Sequence, residues 1–165
     1  MKRRTFIVAS AVSAAVPAKA ASSWQFFTAD EATLVDALCE QIIPADKDPG
    51  ARQAGVVRYI DRQLTGPLQR FARSYRTRLP ELEHACIHAT GKKFVELPAP
   101  EQTRFLEGVE KGPNQSLATF FAMIVDHTMQ GFYGDPKHGG NAGDASWKML
   151  GIEEVMGGHH SGGKA

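Results

Sequence analysis

Histidine spacing is the clearest hint of chemistry in this sequence. His84 and His88 stand four residues apart, which places both side chains on one face of a predicted helix. His127 follows Asp126 on another predicted helix, and His138 lies shortly after it. Imidazoles from facing helices can hold a metal ion. One hypothesis is therefore a free-standing metal-binding helical protein that uses His84, His88 and His127; the alternative is that these histidines are surface or core residues.

The two cysteines, Cys39 and Cys86, leave two alternatives open. They can pair in a disulfide, or each can be a small buried side chain, because sequence does not give the distance between them. Neither lies in a CxxC or CxxCH pattern, which excludes covalent c-type haem attachment to this chain. The sequence also lacks GxSxG, P-loop and GxGxxG motifs, so no serine hydrolase or nucleotide site is predicted and no catalytic, cofactor or metal residue is assigned.

The N-terminus has the pattern of an export signal. Arg3 and Arg4 are followed by Thr, by Phe6 and by a short, weakly apolar run that Pro17 interrupts. Such a run is too short to span a bilayer, and Ala20 ends a small-x-small cleavage pattern. We interpret residues 1–20 as a twin-arginine signal peptide, with Arg3, Arg4 and Phe6 as its recognition residues; the alternative is an ordinary secretory signal that carries two arginines. In either case we expect a periplasmic protein.

Net charge and length limit the binding partners and the number of domains that we expect for the rest of the chain. Cleavage after Ala20 would leave 15 Lys and Arg against 18 Asp and Glu, a net charge of −3 with neutral His. This balance argues against nucleic-acid binding. The 145 remaining residues suit one hydrophobic core. We therefore expect a single domain at 21–155, followed by a flexible Gly/His tail at 156–165.

Apolar periodicity predicts helices throughout this domain. Thr28 and Glu31 form a capping box before a stripe of apolar residues at helical spacing. Further stripes begin near Val56, Leu68 and Pro98, and Pro80 is expected to restart or kink the third one. No segment alternates with period two. The prediction is an all-α single domain, an irregular bundle of five or six helices with Pro/Gly-rich connections.

The segment that follows the last long helix is rich in glycine and aromatic residues. Two interpretations stay open for it: packing back onto the core, or a loop that docks a partner. As a docking loop it supplies the predicted partner interface, whose members share this one stretch of chain: Phe132, Tyr133, Asp135, Pro136, His138, Gly139, Gly140, Asn141 and Trp147.

Both ends of the body resemble the gluconate 2-dehydrogenase subunit 3 family. At the N-terminal end the likeness rests on residues 28–31, 42–46, 49–51 and 59–61, after a twin-arginine leader. At the other end it rests on residues 131–136, 139–141 and 147–151, with His138 where the family often has an aromatic residue. The resemblance spans nearly the whole mature chain.

This resemblance implies that the chain is a non-catalytic subunit. Family members are the small, accessory subunit of a membrane-associated periplasmic dehydrogenase that oxidises gluconate or a related sugar or sugar acid. FAD is bound by the large subunit and haem c by a multihaem cytochrome c subunit, so this chain is expected to hold no cofactor and to meet the membrane only through the complex. The small subunit is expected to carry the large one through twin-arginine export and to support its maturation and stability.

Overall fold

The computed structural model of the protein describes residues 23–152, so the predicted leader and the tail lie outside the described residues. Within that range all regular structure is helical, which confirms the all-α prediction. The six helices are α1 (Ala29–Ile42), α2 (Val56–Gln63), α3 (Ala72–Thr90), α4 (Ala99–Lys111), α5 (Gln115–Tyr133) and α6 (Ala145–Leu150). Four single 3₁₀ turns lie at Gln69–Phe71, Phe94–Glu96, Pro136–His138 and Ala142–Asp144.

Local sequence signals explain where the helices begin. The capping box forms as predicted at α1, where the Glu31 amide donates to Thr28 Oγ1 at 3.2 Å and the Thr28 amide donates to Glu31 Oε2 at 2.8 Å. At α5, the Asn114 side chain accepts from the Leu117 amide at 3.2 Å. These caps satisfy amides that have no partner within the helix.

The prediction that the helix restarts at Pro80 is wrong, while a kink at Pro80 stays a prediction. Helix α3 runs through Pro80 without interruption, although a proline ring cannot donate the usual backbone hydrogen bond to the carbonyl four residues earlier. Tyr75, Leu79, Leu82 and Cys86 are all buried along this helix. Continuous packing of that face against the core offsets the local cost of proline.

Helix α5 is the centre of the bundle. It packs against α1, α2, α3, α4 and α6, and its buried face carries Leu117, Phe120, Ile124, His127 and Thr128. Among the described residues, no helix is long and apolar enough to cross a bilayer. Because α5 contacts every other helix, its C-terminal end fixes the position of the segment that follows it.

Candidate partner-binding site

The closing segment, residues 131–151, folds back onto the end of α5 instead of extending from it. A Cβ atom added to Gly140 would lie 2.1 Å from the Gly131 carbonyl oxygen, so the two glycine backbones are in direct contact. Only glycine permits this approach. The contact turns the chain back across α5 and places α6 beside it.

Asn141 holds the turn together from the inside. Its side chain is fully buried; Nδ2 donates to the Gly134 carbonyl at 3.0 Å and Oδ1 accepts from the Ser146 amide at 2.8 Å. One buried amide thus joins the end of α5 to the start of α6. Trp147 adds a second link, because its Nε1 donates to the Tyr133 carbonyl at 3.1 Å.

Helix α2 supports the outer part of the same segment. Arg62 donates to the Lys137 carbonyl at 3.0 Å, and Gln63 donates to the His138 carbonyl at 3.4 Å. Asp135 caps the 3₁₀ turn by accepting from the Lys137 amide at 3.0 Å, and it pairs with the Lys137 ammonium at 2.7 Å. The segment is therefore an ordered structure with its own hydrogen bonds.

Burial divides the predicted interface residues into two groups. Phe132, Gly140, Asn141 and Trp147 are buried in this chain, where they position the segment; their direct contact with a partner stays a prediction. Tyr133 and His138 are exposed, while Asp135, Pro136 and Gly139 are half-buried. Phe132 and Tyr133 touch edge to face at 4.9 Å between ring centroids, one facing the core and one facing solvent.

Exposed apolar side chains that the sequence did not predict lie near Tyr133, on the end of α5 and on α6. Met129 is 43% exposed, Tyr133 39%, Met149 36% and Leu150 52%. We call these four residues the docking patch; they lie on the last turns of α5 and on α6, which pack together. Among the described residues, the other large apolar side chains of this exposure are Ile87 and Val95, elsewhere in the fold. Sequence reasoning missed Met129, although its spacing of four residues from Tyr133 places both on one helical face.

The structure does not support the metal hypothesis. His84 and His88 are exposed on α3, whereas His127 is buried on α5, where its Nδ1 lies 3.0 Å from the Tyr75 hydroxyl. Across residues 23–152 there is no group of three or more potential metal ligands. The set His84, His88 and His127 fails because the first two histidines face solvent and the third faces the core.

The surroundings of the His127–Tyr75 pair favour the neutral form of both groups. Burial lowers the pKa of His127 and raises the pKa of Tyr75 well above its ordinary value. Phe71 closes the other side of the imidazole, edge to face at 5.0 Å between ring centroids. The pair is a core hydrogen bond, and the spacing of His127 after Ile124 on the apolar face of α5 is the signal that would have indicated it.

The possible disulfide between Cys39 and Cys86 is not formed; both cysteines are free thiols. The Cys39 thiol lies on α1 and accepts from the Thr128 hydroxyl at 3.2 Å, while Cys86 lies on α3 beside Thr90. Burial raises the pKa of the Cys39 thiol to about 12, so it stays protonated and unreactive. The alternative of two separately buried side chains is the one that the structure shows.

Comparison with known proteins identifies the family of this chain. The profile of the family described as Gluconate 2-dehydrogenase subunit 3 matches residues 29–153, from the first residue of α1 to just past α6. No curated protein and no solved structure shows significant similarity to this chain. The match covers most of the chain and includes every helix described above. The chain therefore belongs to the gluconate 2-dehydrogenase subunit 3 family.

Proposed function

We propose that this chain is a non-catalytic accessory subunit of a periplasmic, membrane-associated dehydrogenase that oxidises gluconate or a related sugar or sugar acid. It binds the FAD-bearing large subunit, supports its maturation and stability, and carries it through the twin-arginine route. A multihaem cytochrome c subunit completes the complex and accepts the electrons. The chain itself contributes no cofactor.

The observation that carries this proposal is the docking patch, in a chain whose family is named as a dehydrogenase subunit. Tyr133 and the two methionines are of the residue types that protein interfaces favour. Methionine adapts to irregular surfaces, and tyrosine buries a large area at little cost in rotamer entropy. Hydrogen bonds within the closing segment order the backbone that carries Tyr133, Met149 and Leu150 before binding, which reduces the entropy lost on association.

The chemistry of the interior favours a binding role over catalysis. Cys39, Tyr75 and His127 are among the buried groups that could transfer protons or attack a substrate. Burial disfavours the charged form of each one. These groups stabilise the bundle through hydrogen bonds and do not present a reactive atom to solvent.

Export of the two chains together tests the escort role. Replacing Arg3 and Arg4 with Lys should stop both this protein and its large subunit from reaching the periplasm, since the large subunit is expected to have no export signal of its own. Lys2→Gln, which leaves the arginine pair intact, is the matched control. Immunoblots of periplasmic and cytoplasmic fractions report both chains. Normal export of the large subunit beside the double-lysine variant would refute the escort role.

A further inference from the structure

An apolar groove lies between α3, α4 and the first turns of α5. Its volume is about 660 Å³, which lies in the range of pockets that hold small organic ligands. The lining includes Ala85 and Ala89 from α3, Phe105 and Val109 from α4, and Leu117 from α5. Val109 and Leu117 are only 9% and 4% exposed, so the groove reaches down to the hydrophobic core.

Gly108 keeps this groove open. It lies in the middle of the α4 face that lines the groove, four residues after Arg104 and four before Gly112. A Cβ atom added at Gly108 would have no neighbour within 4 Å, and no left-handed φ requires a glycine there. Glycine nevertheless weakens a helix interior relative to alanine. Packing among the described residues does not explain this glycine, whereas an open groove does.

Among the described residues that line the groove, two are charged, and both belong to α4. Glu101 and Arg104 are exposed, and neither forms an ion pair within residues 23–152. They are three residues apart, which corresponds to a rise of about 4.5 Å along the helix axis. One edge of an apolar groove therefore carries a negative and a positive group about one helical turn apart.

We propose that this groove binds a zwitterionic phospholipid. The lipid phosphate pairs with Arg104, since a guanidinium forms strong, bidentate hydrogen bonds to phosphate oxygens. The headgroup ammonium, which two carbon atoms join to the phosphate, lies at Glu101. One acyl chain lies along Phe105, Gly108 and Leu117, where its burial removes hydrocarbon from water. The site gives this subunit a lipid contact of its own, and the inference does not depend on the docking patch.

Filling the groove tests the site without weakening the fold. Gly108→Leu places a branched side chain in the groove, and Gly108→Ala is the matched control, because it shares the gain in helix propensity but adds only one methyl group. The purified full chain is titrated calorimetrically with monomeric palmitoyl-lysophosphatidylethanolamine, below its critical micelle concentration. We expect Gly108→Leu to bind this lipid at least about tenfold more weakly than the wild type, and Gly108→Ala to keep close to wild-type affinity. No binding by the wild type, or equal binding by Gly108→Leu, would overturn the proposal.

Neutralising the two charges tests the assignment of the headgroup. Arg104→Gln and Glu101→Gln should each weaken binding of the same lysolipid by about threefold or more and leave binding of monopalmitoylglycerol, which has an uncharged headgroup, unchanged. Lys111→Gln, on α4 but outside the groove lining, is the control and should bind both lipids as the wild type does. Wild-type affinity for the lysolipid in both groove variants, or an equal loss for both lipids, would overturn the zwitterionic assignment.

The large subunit is the other occupant that the experiment distinguishes. If Gly108→Leu bound the large subunit more weakly and the lysolipid as tightly as the wild type, the groove would be a protein interface and the lipid proposal would be wrong. If Gly108→Leu lost the lysolipid and kept the large subunit, the lipid site and the docking patch would be separate sites, as we expect.

Discussion

Gly140 provides the sharpest test of how the closing segment is built. In a Gly140→Ala variant, the new Cβ would lie 2.1 Å from the Gly131 oxygen and 2.9 Å from the Gly131 carbonyl carbon. The backbone must shift by about 1 Å to restore ordinary contact, since overpacked sites relieve clashes by backbone movement. That shift pulls Asn141 away from its bonds to Gly134 and Ser146.

The expected loss of unfolding free energy combines the cost of the steric clash with the cost of the lost hydrogen bonds. Overpacking costs about 1–3 kcal/mol, and each lost hydrogen bond adds about 1 kcal/mol, so we expect a loss of about 3 kcal/mol or more. In a chain of this size that corresponds to a fall in Tm of about 10 °C. Thermal unfolding followed by circular dichroism measures it.

Two other glycines serve as matched controls for this substitution. Gly143→Ala places a side chain at φ +64° in open space, so we expect only the left-handed strain of about 1–2 kcal/mol. Gly108→Ala, in α4 with no neighbour within 4 Å, should stabilise the protein by about 0.5–1 kcal/mol. If Gly140→Ala cost no more than Gly143→Ala, the close contact with Gly131 would not be what holds the segment.

Three more outcomes follow from buried side chains. Phe132→Ala should cost about 3–5 kcal/mol of unfolding free energy, because the ring is fully buried; a loss below about 1 kcal/mol in urea titration would contradict its core position. Because burial lowers the pKa of His127, the unfolded chain takes up a proton first on acidification. Stability should therefore fall as the pH drops below about 6.5, and His127→Gln should flatten that slope in melts between pH 7.5 and 5; an equal slope would contradict a neutral imidazole. Cys39 and Cys86 should react with a thiol reagent only after unfolding, as counted by mass spectrometry, and a bonded pair in non-reduced protein would contradict the two free thiols.

Local signals in the sequence predict most of the fold. The capping box at Thr28 and Glu31 and the apolar stripe of α5 identify their helices because hydrogen bonds and periodicity within a few residues determine them. At Pro80 these local signals do not predict the observed helix. Its local preference is outweighed by the burial of one continuous face of α3, which involves residues far away in the chain.

The candidate site depends on contacts that sequence spacing does not reveal. The glycine-rich segment is recognisable as unusual, yet the burial of Phe132 and the exposure of Tyr133 depend on how Gly140 meets Gly131. His127 illustrates the same limit, because its partner Tyr75 is 52 residues away. In the same way, the sequence motif that includes Asp61 does not indicate that its carboxylate binds the backbone of residues 25–27.

Affinity for the large subunit, compared between two single variants, tests the central claim most directly. Tyr133→Ala removes a 39% exposed ring from the docking patch, and the backbone carbonyl that accepts from Trp147 remains. Ile87→Ala removes an equally exposed side chain from α3. We predict that both variants fold with wild-type helical content. Tyr133→Ala should bind the large subunit at least about thirtyfold more weakly, which is a loss of about 2 kcal/mol of binding free energy. Ile87→Ala should bind as tightly as the wild type. Wild-type affinity for a folded Tyr133→Ala variant would contradict the claim that this end of the bundle docks the partner.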